Sequence, residues 1–261
     1  MKIIESLDNQ TIKDVVKLFD KPRFRQESGL FAVDGLREIS FALASSWQVE
    51  KIFYCPEIAD KLPDNLSFFS DRLIECRENV FRKMSYKDNP DGFLAVFKMR
   101  KEDFSQANLG ALPVLVLESI EKPGNIGAVL RTAYAAGIKT ILLCGQGAYL
   151  YNPNVIRASE GYIFGLSIFS ASNEDIYQRL KEEKFKILAA ATSGNKEYYK
   201  ADLKGAVAIV LGSEADGLSD FWLEKADELL RIPMIAGVDS LNISVSAAIM
   251  IYEARRQSGT F

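Results

Sequence analysis

Asn125, Arg131, Glu214, Ser240 and Asn242 are polar side chains set among glycines and small residues, of types that can hold and orient a ligand without a metal. They fall in three short segments, residues 125–131 (NIGAVLR), 210–219 (VLGSEADGLS) and 232–244 (IPMIAGVDSLNIS), each reading as a glycine or small-polar loop where a strand meets a helix. Loops at strand ends build ligand sites in α/β proteins. In the first segment Pro123-Gly124 puts Asn125 in a loop at a helix start, from which its amide could fold back toward the Arg131 guanidinium; an N-cap beside a solvated arginine explains the same residues. In the second, Gly212 and Gly217 permit positive φ and close backbone approach to an adenine edge, against the plainer reading of a turn with two acids near a helix N-terminus. In the third, a helix cap accounts for Asp239 or Ser240 but not for the whole string, whose helix opens on the small residues Ser244, Ser246, Ala247 and Ala248. Together the residue types point to a nucleoside-like ligand.

Composition narrows the chemistry further. The 261 residues contain no histidine, which removes the usual general acid-base near neutral pH and the commonest metal ligand. Zincins and Ser-His-Asp hydrolases are excluded, and Cys55, Cys76 and Cys144 stand too far apart for a zinc cage or a disulfide framework. No metal is expected. Residues 145–150 (GQGAYL) lack the third glycine of a dinucleotide fingerprint, and SGNKEYY at Ser193 lacks the GK[ST] ending of a phosphate loop. The start of the chain carries charges where a signal peptide needs an apolar core, and no apolar run approaches the roughly 20 residues that span a bilayer. A reducing cytoplasmic location is expected, with no membrane association. The net charge of −3 means that a polyanion must meet a local basic patch.

These segments need a scaffold. Residues 1–97 read as one α/β unit, with a first helix carrying Ile12, Val15, Val16 and Phe19, strands at 30–34, 51–54 and 93–97, and a helix over 36–44. Residues 98–113 are charged, then polar, then closed by Gly and Pro, as a linker is. From 114 to 261 apolar strands (114–118, 140–144, 186–191, 207–211) alternate with helices (126–136, 174–184, 243–256), which predicts an α/β fold with a mostly parallel sheet covered on both faces.

In order and spacing, the three segments resemble the motifs of the SpoU (TrmH-like) RNA 2'-O-ribose methyltransferases of the SPOUT superfamily, and FAVDGLREI after a basic loop is similar to that family's L30e-like substrate-binding domain. The resemblance implies a trefoil knot in the C-terminal domain, S-adenosyl-L-methionine as cofactor, a homodimer with its sites at the interface, and an RNA substrate, ribosomal rather than transfer RNA. It assigns catalysis to Asn125, Arg131, Glu214, Ser240 and Asn242. Cofactor contacts fall on Leu211, Gly212, Ile232, Met234, Ser240 and Leu241. The family gives Arg131 the role of base. A guanidinium with pKa above about 12 is a poor acceptor, so Arg131 either has a perturbed proton equilibrium or holds an RNA phosphate that takes the proton, with Ser240 and Asn125 orienting it. RNA contacts are expected from Lys17, Lys21, Arg23, Phe24 and Arg25, an aromatic among cations, and from Arg157 near Ser159. Glu160 and Tyr162 depart from the family pattern, where small residues are usual, and so bear on target choice. The alternatives are an RNA-binding or assembly factor of the same fold without catalysis and, more remotely, a nicotinamide-dependent oxidoreductase.

Overall fold

The computed structural model describes residues 2–110, 113–147 and 149–259, so residues 111 and 112 of the expected linker and 148 of the 145–150 turn lie outside the described residues. The chain divides into two compact units, residues 1–100 with 150–165, and residues 101–149 with 166–261. The division at 100/101 falls inside the expected linker. Assignment of residues 150–165 to the first unit departs from a C-terminal domain running unbroken from 114 to 261.

The first unit is built on a five-stranded sheet of order β1-β4-β3-β5-β2. Its elements are β1 (Lys2–Ile4), α1 (Gln10–Asp20), α2 (Pro22–Ser28), β2 (Leu30–Asp34), α3 (Leu36–Ala44), β3 (Val49–Tyr54), α4 (Asp64–Ser67), β4 (Leu73–Cys76), α5 (Glu78–Met84) and β5 (Phe93–Lys98). Helix α1 buries Ile12, Val15, Leu18 and Phe19 along one side, as the apolar spacing requires, and is capped by the Asn9 side chain on the Thr11 N–H. The basic stretch 21–25 is not an open loop. Pro22 starts α2, because its missing N–H costs nothing at a first helical position, and Gly29 ends it at φ +65°.

The second unit holds a seven-stranded sheet of order β10-β12-β9-β11-β6-β7-β8, in which every pairing is parallel. It begins with β6 (Val114–Glu118), α6 (Pro123–Ala135) and β7 (Thr140–Cys144). The chain then passes through α7 (Pro153–Ala158), which lies in the first unit, and resumes with β8 (Ser167–Ser170), α8 (Asn173–Glu182), β9 (Lys186–Ala190), β10 (Lys196–Glu197), β11 (Val207–Leu211), α9 (Asp220–Lys225), β12 (Glu228–Arg231) and α10 (Ile243–Ser258). Strands β6 and β11 are buried throughout, as expected of the middle of a parallel sheet covered on both faces. The core beneath them gathers Val116, Val210, Ile187 and Trp222. Strands β6, β7 and β8 run outward in chain order; β9 then returns past β6, leaving a place that β11 fills. That return sets the carboxyl ends of β9, β11 and β12 side by side.

Residues 150–165 are anchored by aromatic packing within the first unit. Phe31 stacks with Phe164 at 5.9 Å and meets Tyr151 at 4.7 Å, while the Trp47 indole N–H donates to the Phe164 carbonyl at 2.9 Å. Arg100 lies over Trp47 at 4.3 Å, and its backbone N–H donates to the Tyr151 hydroxyl at 3.0 Å. Glu160 and Tyr162 are accounted for here: both bind Arg37 of α3, through a 2.6 Å ion pair and a 3.1 Å hydrogen bond to the tyrosine hydroxyl.

Candidate active site

A cleft of about 390 Å³ opens over the carboxyl ends of β9, β11 and β12. Leu211, Gly212, Ile232, Met234, Ser240 and Leu241, the six expected cofactor contacts, all line it, and so does Glu214. Its location follows the rule that ligands sit outside the carboxyl ends of parallel strands where the strand order reverses.

The loop after β11 is a closed turn. Ser213 and Gly217 exchange both backbone hydrogen bonds, at 2.9 and 3.1 Å, and Gly217 takes φ +70° to complete it. Gly212 faces the returning strand so closely that a Cβ there would lie 2.1 Å from the Gly217 carbonyl oxygen. Glycine is therefore required at 212 by contact, and at 217 by conformation.

Asn125 stands in the first turn of α6, which begins three residues earlier than its apolar pattern suggests because Pro123 occupies the first helical position. Its side chain turns toward Glu214 and Asn242. The cap of α10 is Asn242, rather than Asp239 or Ser240: Asn242 Oδ1 accepts from the Ser244 N–H at 2.9 Å and from its hydroxyl at 2.6 Å. This cap fixes the orientation of two amides in series. With Oδ1 committed to α10, Asn242 Nδ2 donates to Asn125 Oδ1 at 3.2 Å, which leaves Asn125 Nδ2 to donate to Glu214 Oε1. Three segments distant in the chain thus meet in one hydrogen-bonded row beside the cleft. Glu214 ends the row as its acceptor.

Ser240 is exposed at the cleft, whereas Arg131 is exposed on α6 and is not part of the cleft lining. Helix α10, carrying Ser246 and Ala247, packs along α6 and ties the third segment to the first. Residues 190–193 at the end of β9 also line the cleft, though they carry no motif. Their signal is positional, since any residue ending a strand next to β11 reaches this edge. Gly194 allows it, since a Cβ there would meet the backbone of Leu230 at 2.7 Å.

In the first unit the expected RNA-binding residues separate. Lys21 and Arg23 are exposed, with Arg23 paired to Glu27 at 2.7 Å. Arg25 is 2% exposed and donates through Nη1 to the carbonyls of Leu18 and Phe19 at 2.7 and 2.9 Å, closing the end of α1. It is a brace and not an RNA contact. The carbonyls that a helix leaves unpaired at its end are what draw the guanidinium inward. Arg157 is exposed on α7. Lys17 lies over the Phe24 ring at 5.1 Å, which leaves that aromatic half-buried.

Residues 113–252 match the SpoU rRNA Methylase family, and residues 9–95 match the MRM3-like substrate binding domain. The chain belongs to the SpoU rRNA methylase family. Within that family it is 30% identical, over 98% of its own length and all of the relative's, to the 23S rRNA (guanosine(2553)-2'-O)-methyltransferase RlmP of Bacillus subtilis strain 168. A solved RNA 2'-O ribose methyltransferase shares 36% identity at TM-score 0.83, covering 98% of both chains. The AdoMet-bound rRNA methyltransferase of Sinorhizobium meliloti shares 28% at TM-score 0.89, covering 98% of this chain and 97% of its own. Among the described residues of this SpoU family member no three His, Cys, Asp or Glu side chains group as a metal would need, and no helix is long and apolar enough to cross a membrane.

Proposed function

We propose that this protein transfers the methyl group of S-adenosyl-L-methionine to a ribose 2'-hydroxyl of structured RNA, with ribosomal RNA as substrate. One observation carries the reading. A single cleft collects all six residues expected to hold the cofactor, and the Asn242–Asn125–Glu214 row stands beside it. The cleft suits an adenosyl group in kind: its apolar side chains Leu211, Leu230, Ile232 and Met234 offer a flat-ring slot, and backbone groups of a tight glycine loop offer polar edges. The volume lies within the usual range for small-ligand pockets.

When bound, S-adenosylmethionine supplies a methyl on a sulfonium, already activated toward an oxygen nucleophile. The protein has then to place the hydroxyl and deal with its proton, and orientation and fixed dipoles supply the acceleration. Ser240 and Asn125 orient the target ribose, Glu214 fixes the Asn125 amide, and Arg131 holds the RNA phosphate that takes the proton. Lys21, Arg23 and Arg157 meet the RNA backbone. Residues 9–95 serve as the substrate-binding part, in line with their family match. A guanosine target is proposed because the RlmP relative and the RlmB relative of Xylella fastidiosa both carry guanosine in their names.

The working form is a homodimer in the cytoplasm. Ile235, Val245 and Tyr252, exposed by 81, 47 and 44%, give the second unit the apolar surface that a second copy would cover. Three free, buried cysteines suit a reducing compartment. Incubation of unmodified ribosomal RNA with enzyme and tritiated cofactor should label ribose at one guanosine. Label on bases alone, or on transfer RNA alone, would reject the assignment. Light scattering should give twice the mass of one chain.

A further inference from the structure

Glu118 closes β6, is 5% exposed, and has no lysine or arginine paired with it among the described residues. A carboxylate in such a place is costly unless every lone pair is met by a donor. Here donors come from two other segments. Oε2 accepts the Ser219 backbone N–H at 2.8 Å, and Oε1 accepts both the Ser219 hydroxyl at 2.7 Å and Asn173 Nδ2 at 2.8 Å. The Asn173 amide is oriented by the indole N–H of Trp222, which donates to its Oδ1 at 3.3 Å.

Ser219 stands at the N-cap of α9, where a serine hydroxyl ordinarily accepts from the first turn of its helix. It makes no such bond. The hydroxyl is spent on Glu118 instead, and the loop of residues 212–218 is thereby held at both ends, by the Ser213–Gly217 backbone pair on one side and by Glu118 through Ser219 on the other. Leu218, next to Ser219, lines the cleft.

We propose that Glu118 is a positioning residue for the cofactor cleft, acting through Ser219 to set the wall made by Gly217 and Leu218. The inference rests on the reading that S-adenosylmethionine binds in that cleft. Glu118→Gln tests it, because an amide NH2 at either oxygen position would face a donor it cannot satisfy. Calorimetric titration with S-adenosylmethionine should show at least about ten-fold weaker binding for Glu118→Gln. Its KM for the cofactor should rise in step, while kcat at saturating cofactor and affinity for RNA stay within about two-fold. Ser219→Ala should move the same constants in the same direction, Ser219→Thr should restore them, and the double variant should bind no worse than Glu118→Gln, because both remove one interaction. Wild-type cofactor affinity in Glu118→Gln overturns the proposal. So does an additive double variant, or a fall in kcat and binding that merely follows the folded fraction in a parallel melting curve. A wild-type protein that binds no S-adenosylmethionine overturns the functional reading as well, and so separates the two failures.

Discussion

Asn125 and Glu214, 89 positions apart, are joined side chain to side chain, and the amide orientation that joins them is dictated by the cap of α10 two bonds away. Helix α10 therefore does more than cover the sheet. Through Asn242 its N-terminus determines which atom Asn125 presents to the carboxylate, so a fold contact and a site contact are the same bond.

Asn125→Ala removes the middle of this row. Turnover on RNA should fall by about 10²-fold or more, with cofactor affinity within about three-fold and little change in melting temperature, because Asn125 is only half-buried. Asn242→Ala should add a stability loss of about 1 kcal/mol from the missing cap. Single-turnover kinetics with calorimetric melting separates the two effects.

Gly212→Ala should damage binding more than folding. The added methyl would sit 2.1 Å from the Gly217 oxygen, and backbone cannot yield as a side-chain tip does. The loop must move, at about 1–3 kcal/mol of stability, with cofactor binding reduced beyond detection in the same titration. Gly205→Ala, where a Cβ meets nothing within 4 Å but φ is +74°, is the control for conformational strain alone.

Arg25 and Arg23 should separate stability from RNA binding. Arg25→Ala strips two carbonyls of their donor and should lower unfolding free energy by about 1–3 kcal/mol. Arg23→Ala, at the exposed surface, should leave the melting curve in place and lower the salt dependence of RNA binding by about one phosphate contact. Denaturant unfolding checks the first, and filter binding across a salt series the second.

Stability should fall at alkaline pH. Burial pushes the thiols of Cys76 and Cys144 up to about 12, with Cys55 and Glu118 respectively adding to the effect. The unfolded chain ionises them near 9.0 and the folded chain does not, so protons are lost on unfolding throughout that interval. Each thiol then costs about 1.4 kcal/mol of stability per pH unit above its unfolded pKa, and contributes no dependence below it. Urea titrations at pH 8 and 10 should show a smaller loss in Cys76→Ala and Cys144→Ala than in the parent.

Strands such as 114–118 and 207–211 were legible because fully buried parallel strands are continuous apolar runs, and the three loop segments because small and polar residues interrupt those runs at their ends. Strand order was not legible in the periodicity, since the place of β11 between β9 and β6 depends on pairings distant in the chain. Arg25 was misread for a similar reason. Its charge belongs with Lys21 and Arg23 by composition, and only the orphan carbonyls at the end of α1 pull it inside. Glu118 gave no signal either, being one acid at the end of an apolar run whose partners lie 55 and 101 residues away.

Residues 150–165 bear on how this protein can be dissected. A single cut at 100/101 does not separate the units, because a fragment from 101 onward carries Tyr151 and Phe164 away from Phe31 and Trp47, the rings they cover. Such a fragment would display bare aromatic surface and self-associate. A workable excision of the cleft-bearing half needs a second edit, removal of residues 150–165 with a polar linker in their place. Recombination that exchanged only the leading hundred residues among relatives would have to preserve this buried aromatic match or lose the fold.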